Sequence, residues 1–195
     1  FEIFYERLKP DHFSAYPETE FIYDKIANYL GVDRKQIVLT AGSDAGIKTC
    51  FDLCVSPGAQ VITLNPTFAM VDVYCKLFGT KQLQINFDKS LILDFNGLLN
   101  AINRQTCLLI IANPNSPTGT LIDSEKIEII LNKAYECDVV TLIDEAYCEF
   151  CKTSAMGLLD NYPNLVISRT FSKAIGLAGC RVGYLVAQEH LAQML

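Results

Sequence analysis

TCLLIIANP, residues 106–114, decides the class of fold. Cys107 to Ala112 run apolar without a break, whereas a strand with one wet face would alternate polar and apolar side chains. Such a run suits a strand inside a parallel sheet whose two faces are both covered, and the Asn-Pro that follows ends it. This strand is therefore expected at the centre of the sheet. It is also the longest apolar run in the chain, far short of the roughly 20 residues that a membrane-spanning helix needs.

Outward from this strand, extended and helical patterns alternate. Upstream, IVLT (37–40), QVITLNP (60–66) and KQLQINF (81–87) read as strands. Between them, Ile47, Cys50, Phe51, Cys54 and Val55 recur at helical spacing after Gly42, and TFAMVDVYCKLFG (67–79) is a helix stopped by Gly79. A weaker helical stretch lies near residues 96–103. Downstream, Asp123 and Ser124 offer an N-cap, Glu125 suits a first turn, and Ile127, Ile130, Leu131 and Ala134 follow at i, i+3, i+4 and i+7. VVTLID (139–144) and NLVISRT (164–170) are further strands with a short helix expected between them, and RVGYLVA (181–187) is another. This order implies an α/β fold, an open, mainly parallel sheet with helices on both faces. Ligands of such sheets bind beyond the carboxyl ends of the strands.

Composition narrows the partners. The 195 residues carry 16 Lys and Arg against 22 Asp and Glu, a formal charge of −6 without basic blocks, so nucleic acid is not an expected partner. No basic-then-apolar leader opens the sequence, and a soluble, cytoplasmic protein without membrane contact is expected. The eight cysteines lie mostly within apolar stretches and read as reduced core residues. Cys148 and Cys151 have C-x-x-C spacing, but no second pair or histidine cluster accompanies them, so no metal site is expected. His12 and His190 read as exposed.

Five strand ends carry polar residues of an unusual kind. They are Gly42-Ser43-Asp44, Asn65 to Phe68, NPNSPTG (113–119), DEAY (144–147) and SRTFSK (168–173). Taken singly, each has an ordinary explanation as a cap, a turn or a solvated charge. Together they suit a flat, phosphate-bearing cofactor with a reactive aldehyde, pyridoxal 5′-phosphate. A helix starting at Ser43 points free N–H groups at an anion, Thr170 and Ser172 add hydroxyl donors, and Arg181 adds a forked contact. Asp44 would repel a phosphate, so its side chain is expected to turn away and bond elsewhere while its N–H is used. Lys173, supported by neighbouring positive charge and partial burial, would be the amine that forms a Schiff base. Asp144 would hold a pyridinium nitrogen protonated, Tyr147 would bond the ring hydroxyl, and Phe68 would stack on the ring.

AYPETE (15–20), LTAGSDAGI (39–47), NPTF (65–68), NPNSPTG, DEAYCEF (144–150) and SRTFSKAIGLAGCRVGY (168–184) resemble, in order and spacing, the fold-type I pyridoxal-phosphate aminotransferases, especially the histidinol-phosphate aminotransferase family. The resemblance implies that Lys173 carries the cofactor, Asp144 faces its ring nitrogen and Tyr147 its ring hydroxyl. It further implies that Phe68 stacks on the ring while Gly42, Ser43, Asp44, Thr170, Ser172 and Arg181 surround the phosphate. Where many relatives have asparagine before PTG, this chain has Ser116, which would leave that contact to Asn115, Tyr147 or a water. Tyr16 matches a tyrosine that in the family reaches the phosphate held by the neighbouring subunit, which implies a homodimer.

The same resemblance divides the chain into residues 1–20, part of an N-terminal arm or dimer segment, and residues 21–195, the cofactor-binding large domain. The small C-terminal domain of the relatives is absent from this sequence. The implied reaction is ping-pong transfer of an amino group between an amino acid, glutamate in the family, and an oxo substrate. Two alternatives stand beside it: decarboxylation of an amino-acid phosphate on the same cofactor, and a non-catalytic, truncated cofactor-binding domain.

Overall fold

The computed structural model describes residues 6–195, so residues 1–5 of the expected arm lie outside the described residues. The chain forms two compact units, one ending at Arg34 and one spanning Lys35–Leu195. The first holds α1 (Asp11–Ser14) and α2 (Glu20–Leu30). Helix α2 is not among the expected elements, although Ile22, Ile26 and Tyr29 recur at helical spacing. Gly31 ends it in the left-handed region at φ 69°, with its N–H on the Ala27 carbonyl. Arg34 folds back onto Glu20, Asp24 and the Tyr23 ring.

The second unit is a seven-stranded sheet in the order β1-β7-β6-β5-β4-β2-β3. Its strands are β1 (Ile37–Thr40), β2 (Gln60–Asn65), β3 (Lys81–Asn86), β4 (Thr106–Ala112), β5 (Val140–Asp144), β6 (Leu165–Thr170) and β7 (Gly183–Ala187). The helices are α3 (Ser43–Cys54), α4 (Ala69–Leu77), α5 (Phe95–Ala101), α6 (Ser124–Glu136) and α7 (Glu189–Ala192). β4 is interior, with β2 and β5 parallel to it on either side and Leu108 to Ile111 at most 2% exposed; the middle position itself belongs to β5. α6 presents the expected stripe, Ile127, Ile130, Leu131 and Ala134, all buried, and the Asp123 carboxylate caps it by accepting from Lys126 N.

Two features depart from simple alternation. The expected helix between β5 and β6 is a pair of 3₁₀ turns, Cys148–Phe150 and Ala155–Leu158. The connection from β6 to β7 holds only a third such turn, Ala178–Cys180, with no crossover helix. The chain therefore doubles back, and β7 pairs antiparallel with both β6 and β1. The remaining pairs are parallel, and β1, reversed twice through β7, runs in the same sense as β6. The carboxyl ends of β1, β2, β4, β5 and β6 thus share one edge with the start of β7. Under that edge α3 and α4 cover one face of the sheet, where Phe51 is fully buried against the rings of Tyr74 and Phe78 at 5.7 and 5.4 Å. A phenyl group so enclosed contributes about 2–3 kcal/mol by its removal from water, which holds α3 firmly on the sheet.

Candidate active site

At the shared edge the strand ends surround one cavity of about 130 Å³. Gly42, Ser43 and Asp44 reach it from the start of α3, Phe68 from the start of α4, Ser116 from the loop after β4, and Asp144 and Tyr147 from the end of β5. Thr170, Ser172, Lys173 and Arg181 complete it from the connection between β6 and β7.

The start of α3 has the makings of an anion site. The first N–H groups of an α-helix have no intrahelical acceptor, and among the described residues no side chain caps this one. Gly42 precedes it at φ 83°, and a Cβ there would stand 2.9 Å from Arg181 Nη2. Glycine therefore lets the guanidinium lie across the turn, where it donates to the Ala41 carbonyl at 3.2 Å and to the Ala178 carbonyl at 3.4 Å. The Thr170 hydroxyl donates to Ser172 Oγ at 3.0 Å, so both hydroxyls stand together on this side. The Asp44 carboxylate has turned aside and accepts from Tyr74 Oη at 3.1 Å. A second glycine closes the turn: a Cβ on Gly183 would fall 2.6 Å from Gly42 C, 2.7 Å from Ser43 N and 2.8 Å from Arg169 O. Only a residue without a side chain lets β7 approach the helix start this closely.

Asp144 is buried, and burial pushes its carboxyl up to about 6. The Glu145 charge pushes the same way, while hydrogen bonds from the Ser168 hydroxyl and the Ala146 N–H, and the Lys173 ammonium, pull against it. Ser168 Oγ donates to Asp144 Oδ1 at 2.5 Å. Glu145 is buried with Arg169, whose Nε and Nη2 both donate to Glu145 Oε2 at 3.0 and 2.7 Å; Ser154 Oγ and Ala155 N also donate to that carboxylate. A fully bonded pair of this kind ties the end of β5 to the end of β6. Lys173 Nζ stands 5.1 Å from the centre of the Tyr147 ring.

Two expected site residues are placed differently, Lys173 and Asn115. Lys173 is exposed rather than partly buried, because the segment 173–176 that carries it is open to solvent throughout. Asn115 does not line the cavity: its amide donates to the Pro66 carbonyl and to Thr118 Oγ1 and accepts from Thr67, so the loop itself uses the side chain. Tyr16 belongs to the first unit and is exposed. Ala112, Pro114 and Ala146, not expected in the site, help to line the cavity. The pairings of Ser168, Arg169 and Gly183 also escaped sequence reasoning. The signal for Ser168 was strand parity, since it lies two residues before Thr170 on the same face of β6. Both histidines are exposed, and the eight thiols are free. Among the described residues no helix is long and apolar enough to cross a membrane.

An uncapped helix start beside hydroxyls and a guanidinium, a buried carboxylate and an amine near a phenol ring thus meet in one cavity. The family model for aminotransferase class I and II matches residues 9–195, and the chain belongs to that family. Within it, histidinol-phosphate aminotransferase of Dehalococcoides mccartyi is 43% identical over 176 residues, covering 89% of this chain and 48% of that protein. The structure of histidinol-phosphate aminotransferase from Sinorhizobium meliloti in complex with pyridoxal-5′-phosphate superposes with a TM-score of 0.83 at 30% identity, over 92% of this chain and 49% of that one. L-threonine-O-3-phosphate decarboxylase from Porphyromonas gingivalis superposes at 0.78 with 22% identity, over 94% of this chain and 57% of that one, a likeness of fold alone. The chain spans about half the length of the curated relatives it matches.

Proposed function

We propose that this chain is the cofactor-binding part of a pyridoxal-phosphate-dependent aminotransferase acting on histidinol phosphate or a close analogue, with glutamate as the other amine. One observation carries the reading: the α3 start, Phe68, Ser116, Asp144, Tyr147, Thr170, Ser172 and Lys173, drawn from five strand ends, share a single cavity with Arg181. The donor set fits the group. The N–H groups of α3, the two hydroxyls and Arg181 bind the phosphate, and Asp144 accepts from a protonated ring nitrogen. Tyr147 bonds the ring oxygen beside Ser116, Phe68 flanks the ring, and Lys173 holds the aldehyde carbon.

When bound, pyridoxal phosphate supplies an electron sink for the pair left on the α-carbon of an amino acid. The chain's own residues do the rest. Lys173 would hold the cofactor through its amine and, once that amine is free, would act as the general base that takes and returns the α-proton of the substrate. Asp144, buried and ionised against a cationic nitrogen, keeps that nitrogen protonated throughout. Tyr16 is assigned to the phosphate held by a second subunit of a homodimer, residues 1–20 to the arm and residues 21–195 to the large domain. The free thiols suit a reducing compartment such as the cytoplasm.

The test is reconstitution with pyridoxal phosphate, visible absorbance, borohydride reduction and mapping of the adduct. Attachment at Lys173 and its loss in Lys173→Ala are expected; attachment elsewhere would refute the assignment. Formation of an oxo acid with matching loss of glutamate supports transamination, whereas carbon dioxide without an oxo product would replace it with decarboxylation.

A further inference from the structure

Asp144 ends β5, and Ser168 lies in register with it on the parallel neighbour β6. Residues paired in this way point their side chains to the same face, here the cavity face that Thr170 shares two residues on. Ser168 is wholly buried, and its one hydroxyl hydrogen goes to Asp144 Oδ1. The backbone around the pair is also pinned, with Asn113 N donating to Asp144 O and Glu145 N to Ser168 O, both at 2.9 Å. A carboxylate on a single rotatable bond presents either oxygen, at variable tilt, to whatever lies in the cavity. Holding one oxygen from the adjacent strand removes that freedom.

We infer that Ser168 is a positioning residue for Asp144: its hydroxyl holds Oδ1, fixes the plane of the carboxylate and leaves Oδ2 as the acceptor for a cationic N–H in the cavity. The inference rests on the cofactor reading above. The hydroxyl also favours the ionised carboxylate, the form a pyridinium needs opposite it. The Ala146 N–H also bonds this carboxylate, but from its own strand end; Ser168 is the side-chain donor that holds it from the neighbouring strand. Glu145, next on β5, is bound to Arg169 of β6 and faces Ser154; Lys173 of the following connection approaches as a charge; and Asp44 of α3 is engaged by Tyr74. Ala112 and Ala146 bring no side-chain donor to the cavity wall.

The titration of Asp144 tests it, followed by infrared or carbon NMR in the protein without cofactor and assigned by its disappearance in Asp144→Asn. Ser168→Ala should raise the midpoint by about one pH unit, a tenfold gain in proton affinity, and Ser168→Thr, which keeps the hydroxyl, should restore it. If the alanine protein does not fold, Ser168→Cys, close in size and a weaker donor, should show a smaller rise in the same direction. An unmoved midpoint in the folded alanine or cysteine protein overturns the inference. With pyridoxal phosphate added, Ser168→Ala should bind about tenfold more weakly at pH 8; a raised midpoint with unchanged affinity would overturn the positioning role. Failure of the unaltered protein to take up pyridoxal phosphate would sink the cofactor reading, and the midpoints would still decide whether Ser168 holds Asp144.

Discussion

Asp144→Asn should make the protein without cofactor more stable, not less. The carboxyl group is buried and its folded-state value, about 6, lies above the ordinary 3.8. Between those values the folded chain binds more protons than the unfolded chain. The stability associated with the neutral form is therefore complete below about pH 4 and is lost as pH rises through 6. Above that, an ionised Asp144 costs the fold about two pH units at 1.4 kcal/mol each, on the order of 3 kcal/mol. Asparagine keeps the shape and can still accept the Ser168 hydroxyl hydrogen, but it has no charge to desolvate. Urea unfolding at pH 8 should place the variant's midpoint about 1–2 M higher, for a slope near 2 kcal/mol per molar. At pH 4 the two proteins should nearly coincide. Pyridoxal phosphate should close the gap at pH 8, because a cationic nitrogen gives the carboxylate its partner. Equal differences at both pH values, or a less stable variant at pH 8, would refute the reasoning.

Two further perturbations probe the frame around the cavity. Arg169→Met strands the Glu145 carboxylate in a buried site and should cost about 3–5 kcal/mol in urea unfolding, while pairing it with Glu145→Gln should recover much of that loss. Gly183→Ala drives a Cβ into backbone atoms of Gly42, Ser43 and Arg169 that have little room to yield. It should destabilise the fold by about 1–3 kcal/mol and weaken phosphate affinity, measured by titration calorimetry, by displacing the α3 start.

The parts of the fold legible in the sequence are those whose burial is uniform or strictly periodic. β4 is apolar on both faces because sheet neighbours and covering layers enclose it, and α6 shows its buried stripe at i, i+3, i+4 and i+7. The direction of β7 was not legible, because it depends on whether the connection from β6 coils into a helix long enough to cross the sheet. A segment with Gly176 and Gly179 does not. Lys173, Asp144, Tyr147 and Arg181, which line one cavity, stand out in the sequence because amine, carboxylate, phenol and guanidinium each lie beside the end of a strand. An amide at a strand end serves a loop as readily as a ligand, and the Asn115 side chain is taken up by Thr67, Pro66 and Thr118. Ser168 and the Glu145–Arg169 pair needed the register of β5 against β6, which no single stretch of sequence contains.

Within the sheet β1 (Ile37–Thr40), the first of the seven strands in the chain, sits at an edge and pairs only with β7 (Gly183–Ala187), the last of them. On a ribosome the first strand must therefore wait for the last. Strands β2 to β6 can pair as they emerge, while Ile37–Thr40 stays without its neighbour until the Gly183–Ala187 segment is out. The α3 start and the β7 turn beside it are thus joined only after β2 to β6 have emerged, so the cavity between them closes on a sheet interior that is already built.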